Sequence, residues 1–409
     1  MLRVNQHFDN PRVQNLERTL LMELQRESIR SRVCTGDRVA IAVGSRGIAD
    51  LQLIVRTLVH WVKGRGAQPF IVPAMGSHGG ATAEGQEAVL ALYGITEEGV
   101  GAPVVSSMDV CQVGSLASGV PVFFDKTAYQ ADVVIPVNRI KLHTDFRGEV
   151  ESGLVKMLCI GLGKHKGTTT LHSQGMDLFD RIIPEAGAVI LRNSPVKFGV
   201  AVLENARDEV ARLVAVEAEQ MIAREKDLLK EATALMMKIL FPQFDLLIID
   251  EMGKDISGDG IDPNVIRRGL PRRGEEGSEP QRIVVLSLTK KTKGNAFGIG
   301  LADITTQRLA DMVSFEDTYT NAITNTVIHL AKMPLVMPTD RDAIAVALNT
   351  CARVKPLQAR VIHIKNTLSL TNIRISESLR QQAQELQNVE ICGEATEMSF
   401  NADGALMST

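Results

Sequence analysis

Three short loops in the first half of the chain collect side chains able to grip an anion and move a proton. GSRG carries Ser45 and Arg46, GSHGG carries Ser77 and His78, and NRIKLH carries Asn138, Arg139, Lys141 and His143. Polar residues in any one such loop are common, and Arg46 between Gly44 and Gly47 also suits an exposed helix start. Two histidines together with several cations are less usual. Imidazole, with an unperturbed pKa of about 6.5, serves as acid or base near neutrality. A guanidinium matches the two oxygens of a carboxylate. His78 stands among glycines that leave its ring accessible, whereas His143 taken alone suits a turn cap equally well.

The densest segment is ESGLVKMLCIGLGKHKGTTTLHSQG, residues 151–175. Lys156 lies inside the apolar run Leu154–Leu162, where a lysine either snorkels to solvent or is a desolvated, reactive amine. GLGKHKGTTT has the look of a phosphate loop. The pattern G-x-x-x-x-G-K-[ST] would need glycine where Leu158 stands and Ser or Thr where His165 stands. GIGLAD, Gly298 to Asp303, lacks the third glycine of a dinucleotide fingerprint. His165 and His172 are seven residues apart, which is not a zinc-ligand spacing, and H-E-x-x-H is absent. An ordinary P-loop ATPase, a Rossmann dehydrogenase and a zincin all lack support.

These loops need elements to hold them. β-branched apolar runs at Val39–Val43, Phe70–Ala74 and Asp132–Val137 lead directly into the three loops, and Lys197–Leu203 reads as a further strand. Helical spacing follows at Leu51–Lys63 and Thr82–Leu92. Glu217–Leu240 carries no Pro or Gly and predicts one long helix. After Pro242 the pattern restarts with strands at Phe244–Asp250, Arg282–Leu288 and Ala359–Ile364. Helices are expected at Thr305–Val313, Thr318–Ala331, Asp340–Ala352 and Glu377–Leu386, with Arg267–Gln281 an exposed loop. Alternation of this kind implies an α/β fold with two domains, each a mostly parallel sheet flanked by helices. The expected division is 1–241, an N-terminal cofactor-binding and catalytic domain, and 242–409, a C-terminal domain closing over the substrate, with the active site in the cleft between.

Composition bounds the partners. At 409 residues the chain can bury a core in each domain. Its net charge of −3 includes no basic stripe, so nucleic acid is not expected. No apolar run approaches the roughly 20 residues of a membrane span, and the first residues have no signal-peptide h-region. Five scattered cysteines without a C-x-x-C pair suggest neither a disulfide framework nor a zinc ribbon. The expected compartment is cytoplasmic.

Taken in order, the loops resemble those of the nickel-dependent lactate racemases and their 2-hydroxyacid racemase and epimerase relatives, over roughly Val39 to Gly175. The resemblance implies a nickel-pincer nucleotide, a pyridinium mononucleotide whose sulfur and carbon atoms hold nickel. In that family a lysine carries the cofactor covalently and a histidine sixteen residues later ligates nickel, an interval matched by Lys156 and His172. Ser152 and Gly153 fall in the stretch before that lysine and become implied cofactor contacts. Arg46 matches the arginine that grips the substrate carboxylate, and His78 and His143 match the two catalytic histidines.

The chemistry implied is inversion at C2 of a 2-hydroxycarboxylic acid. The α-hydrogen is too weakly acidic for histidine to remove as a proton. Its removal as hydride needs an electrophilic acceptor and a base on the hydroxyl, and two enantiomers need two bases. Soft sulfur donors with one imidazole suit nickel.

Departures from the family are specific. Val43-Gly44-Ser45 replaces an acidic residue before the arginine, and the interval from His143 to Lys156 is longer. In the second domain Arg268 is the nearest match to a substrate-binding lysine, and no glutamine aligns. The implied substrate is therefore a 2-hydroxyacid other than lactate. Implied partners are that small molecule and cofactor-biosynthesis proteins, with a homo-oligomer left open. The rival expectations are a 2-hydroxyacid oxidoreductase that releases the ketoacid, and a non-catalytic nickel- or nucleotide-binding protein of the same fold.

Overall fold

The computed structural model describes residues 1–45, 47–270 and 277–407. Arg46 lies outside the described residues. Two units separate by contact: Asp9–Met236, and Met1–Phe8 together with Met237–Thr409. The sequence had grouped the first eight residues with the N-terminal domain, but β1 (Leu2–Gln6) is a strand of the second unit's sheet.

In the first unit β2 (Arg38–Val43), β3 (Gln68–Pro73), β6 (Val133–Arg139), β7 (Phe198–Glu204) and β8 (Val210–Glu217) form a sheet ordered β3-β2-β6-β7-β8. All neighbours are parallel except β7 and β8. Period-two alternation splits β2 between two cores. Val39, Ile41 and Val43 face the core built on the Leu51–Gly64 helix, while Ala40 and Ala42 face the core beneath the Phe179–Asn193 and Met221–Leu235 helices. A two-stranded hairpin, β4 (Val110–Ser115) and β5 (Pro121–Asp125), packs on the second of these cores.

This order creates a switch point. The chain leaves β2 for β3 on one side and returns as β6 on the other, so the β2 and β6 loops open toward opposite faces. In such sheets the crevice beyond the carboxyl ends is where ligands bind. Ser45 follows β2, and His143 and Lys156 follow β6.

The second unit holds an eight-stranded sheet of β1, β9 (Leu246–Ile249), β10 (Arg282–Val285), β11 (Ile304–Thr306), β12 (Leu335–Met337), β13 (Val361–Ile364), β14 (Asn372–Ile375) and β15 (Val389–Cys392). Its order is β12-β11-β10-β9-β13-β14-β1-β15, parallel as far as β13 and antiparallel beyond. The α/β fold with mostly parallel sheets flanked by helices therefore holds in each unit.

Three expected helices differ. Glu217–Leu240 is not one helix: Glu217 ends β8, and the helix runs only over Met221–Leu235. It stops without Gly or Pro because the next residues serve the other unit, where Ile239 and Phe241 are buried and the Leu240 amide donates to Gln6 Oε1 at 2.7 Å. The expected Thr305–Val313 helix begins as β11, and Thr306 then caps a helix limited to Gln307–Asp311. The expected Thr318–Ala331 helix spans Phe315–Asn325 and breaks at Thr326, where φ is 58°. Of the expected Arg267–Gln281 loop, residues 271–276 lie outside the described residues.

Candidate active site

Lys156 closes one helical turn, Leu154–Lys156, and a π-helical turn, Met157–Gly161, follows it directly. Such turns are rare and frequent at functional sites. The side chain of Lys156 is half-buried and does not run to bulk solvent: Nζ hydrogen-bonds His143 Nε2. The turn starts on Gly153, whose carbonyl accepts from Asn138 Nδ2 at 2.8 Å. A Cβ on Gly153 would lie 2.3 Å from Glu225 Oε1, so that carboxyl requires glycine there. Glu225 Oε2 accepts from the Val155 amide at 3.0 Å. Burial raises the Glu225 pKa to about 7, against the backbone hydrogen bonds that favour its ionised form.

His143 is fixed by its own loop. Lys141 and Ser152 pair their backbones at the loop's base, N–H to O at 2.9 and 3.2 Å. Buried Glu151 accepts from the amides of His143 at 2.7 Å and Gly148 at 3.1 Å. The Asp145 amide donates to His143 Nδ1 at 3.0 Å, whereas the Asp145 carboxylate lies at 3.6 Å, beyond a hydrogen bond. Burial, then the nearby Lys156, Lys141, His172 and Arg147 charges, holds the His143 pKa well below the usual imidazole value.

His172 ends the helix Lys164–His172. Its ring stacks on Phe179 at 5.1 Å between centroids, Phe179 meets Phe146 edge-on at 5.5 Å, and Phe146 lies 4.6 Å from His143. The two histidines thus flank one aromatic pair. Burial and then the Lys156 charge lower the His172 pKa to about 4, so its imidazole is neutral with a lone pair available at neutral pH. His165, on the same helix, is exposed.

His78 follows β3, two strand positions from β6, roughly 10 Å across the sheet edge. It is exposed, and its Nδ1 lies 2.5 Å from Ser45 Oγ. The Ser45 carbonyl accepts from Tyr93 Oη at 3.1 Å. The serine that stands near the family's missing acid is therefore the partner of His78.

In the second unit Arg268 donates to Asp303 at 2.6 Å, Glu279 at 2.6 Å, the Leu301 carbonyl at 3.1 Å and the Pro280 carbonyl at 2.8 Å. These contacts tie together loops of its own unit. A histidine–carboxylate pair there, His363 Nε2 to Asp250 Oδ1 at 2.6 Å, escaped the sequence because His363 sits in an apolar strand. Glu225 was legible in principle, as a charge on the apolar face of its helix between Met221 and Leu228.

Among the described residues no group of three His, Cys, Asp or Glu side chains is placed to hold a metal, and no helix is long and apolar enough to cross a membrane. Lys156, half-buried beside the His143 imidazole, and His172, stacked on Phe179, are the side chains here whose chemistry fits holding a cofactor.

The molecule is a two-unit α/β protein whose first unit gathers a lysine and two histidines beyond a sheet's switch point. Residues 3–178 match the lactate racemase N-terminal domain. Its structure is similar to that of the lactate racemase apoprotein from Thermoanaerobacterium thermosaccharolyticum, with a TM-score of 0.55 over 90% of this chain and 99% of that one. Identity between the two is 12%, so this likeness concerns the fold. No curated protein matches the chain by sequence.

Proposed function

We propose that the chain is a racemase or epimerase that inverts C2 of a 2-hydroxycarboxylic acid other than lactate. The observation that carries this reading is the Lys156–His143 contact, with His172 across the Phe146–Phe179 pair, inside the segment matching the lactate racemase domain. The domain match by itself supports racemase-type function in general.

A nickel-pincer nucleotide would be held covalently by Lys156, contacted by Ser152 and Gly153, and ligated through nickel by His172. When bound it supplies an electrophilic acceptor for the α-hydrogen, which no side chain provides.

The protein's own part concerns protons and position. A backbone amide only donates, so His143 Nδ1 accepts from Asp145 and the neutral ring carries its proton on Nε2. The deprotonated Lys156 amine is the nucleophile that covalent attachment needs, and its contact with His143 Nε2 holds it in place. Once Lys156 is acylated, His143 Nε2 becomes an exchangeable position facing the site. His78, oriented by Ser45, is the second base. Arg46, in the same loop as Ser45, is the carboxylate grip. Two bases are required because the two enantiomers present their hydroxyls on opposite sides.

The test is a panel of pure 2-hydroxyacid enantiomers with protein from a host that makes the cofactor, followed by chiral separation. Inversion without stoichiometric 2-ketoacid is expected, with a bulkier or more polar acid turned over faster than lactate. Accumulating ketoacid would instead indicate an oxidoreductase, and cofactor binding without inversion of any acid would indicate a protein that has lost turnover.

A further inference from the structure

Lys164 is fully buried although it opens a helix, and it adopts a φ of 53°, which few side chains tolerate. Its Nζ lies 3.2 Å from the equally buried Asp125 carboxylate and donates to the Pro73 carbonyl at 2.5 Å and to Gln86 Oε1 at 3.0 Å. An ammonium has three donors, and these partners account for them. Asp125 in turn caps the Lys126–Tyr129 turn through the Ala128 amide at 2.7 Å. Burial pushes the Asp125 carboxyl up and the Lys164 amine down, and each charge holds the other ionised against it. Apolar residues of the same volume would often be as stable as such a pair.

What the pair adds is direction. Gln86 is fully buried on the Ala83–Ala91 helix. Its Nε2 donates to the carbonyls of Gly76 at 2.8 Å and His78 at 3.3 Å. A side-chain amide can be turned over at little cost when its neighbours are ambiguous; here they are not. Turning Gln86 over would set its NH2 against the Lys164 ammonium and its oxygen against two carbonyls. The buried cation thereby locks the amide, and the amide holds both sides of the turn that presents His78. Gly76, at φ 61°, is also bound to the π-turn after Lys156, its amide donating to the Gly161 carbonyl at 3.0 Å.

We propose that Gln86, locked by the Lys164–Asp125 pair, is the positioning residue of His78: it fixes the loop so that the imidazole meets Ser45 in one orientation. This rests on His78 being one of the two bases, but the positioning itself is measurable without turnover.

Two variants separate the fold from the positioning. Gln86→Glu retains an acceptor for Lys164 and cannot donate to the Gly76 and His78 carbonyls; Gln86→Met loses both. The first measurement is NMR of the histidine rings in 15N-histidine-labelled full-length protein without cofactor, with the His78 signal identified by its loss in His78→Ala. Both variants should shift and broaden the His78 signal and leave those of His143 and His172 in place. The second measurement, on cofactor-loaded protein, is the single-turnover rate from each pure enantiomer. One enantiomer should slow about 10–100-fold at unchanged KM, the other not at all, since a displaced base costs part of the 10²–10⁴ that a base supplies. An unmoved His78 signal, or equal movement of all three histidines, would overturn the proposal. If the wild type inverts no hydroxyacid, the functional proposal fails and the NMR result still decides this one.

Discussion

His143 and Lys156 show how context decides between bland and chemical roles. Taken alone, His143 could cap a turn and Lys156 could snorkel; the structure gives each the other as partner. That pairing could not be read from an interval of thirteen residues, because it depends on Glu151 closing the loop between them. Ser45 was legible only as a polar loop residue, since its partner follows a different strand. The partner of Arg268 was not legible for the same reason: the charges beside it in sequence say nothing about the distant Asp303 that it binds. If His78 and His143 serve opposite enantiomers, replacing either by Ala should block net inversion in both directions. Each variant should still carry one enantiomer to the ketoacid, and the two should prefer opposite ones. Rapid quench with each pure enantiomer would show mirror-image preferences, with the affected direction slowed about 10²–10⁴-fold. Normal reaction of both enantiomers in His143→Ala would make His143 structural.

At the scale of elements, strands followed by helices were legible because a β-branched run and a glycine-rich turn are both local signals. β8 was not, since RLVAVE runs straight into helical spacing, and β1, β14 and β15 alternate weakly over four or five residues. The Met221–Leu235 helix carries a buried acid against the turn that presents Lys156, and this has a pH consequence. A carboxyl whose pKa is raised on folding favours the folded state below its ordinary value of 4.5, and that advantage is lost as pH rises to about 7. At about 1.4 kcal/mol per unit, the span corresponds to about 3 kcal/mol. Glu225→Gln does not titrate, so it should gain about 3 kcal/mol on the wild type between pH 5 and pH 8 in urea unfolding of the first unit. Parallel pH dependences would show that Glu225 ionises in the folded protein without cost.

At the scale of the whole molecule, the chain's first strand belongs to its last sheet. β1 lies between β14 and β15, and Gln6 binds the Leu240 amide just past the unit boundary. Val4, 1% exposed, anchors β1 in that core. Val4→Asp should destabilise the second unit by roughly 3–5 kcal/mol, the scale of an unpaired buried charge. Hydrogen exchange should then quicken in β14 and β15 and not in β2, β3 or β6; equal quickening in both sheets would contradict two separate units. Such pairings between chain ends are invisible to local periodicity, whereas the order of loops in the first unit was visible because each loop follows its own strand. The proposed function requires a covalent nickel nucleotide on Lys156. Intact mass of the protein from a cofactor-producing host, followed by peptide mapping, tests it most directly. The expected result is added mass on the Lys156 peptide, absent in Lys156→Met, with nickel lost but the adduct retained in His172→Ala. An adduct on Lys164 or Lys166, or no added mass in a host where a known lactate racemase is loaded, would contradict it.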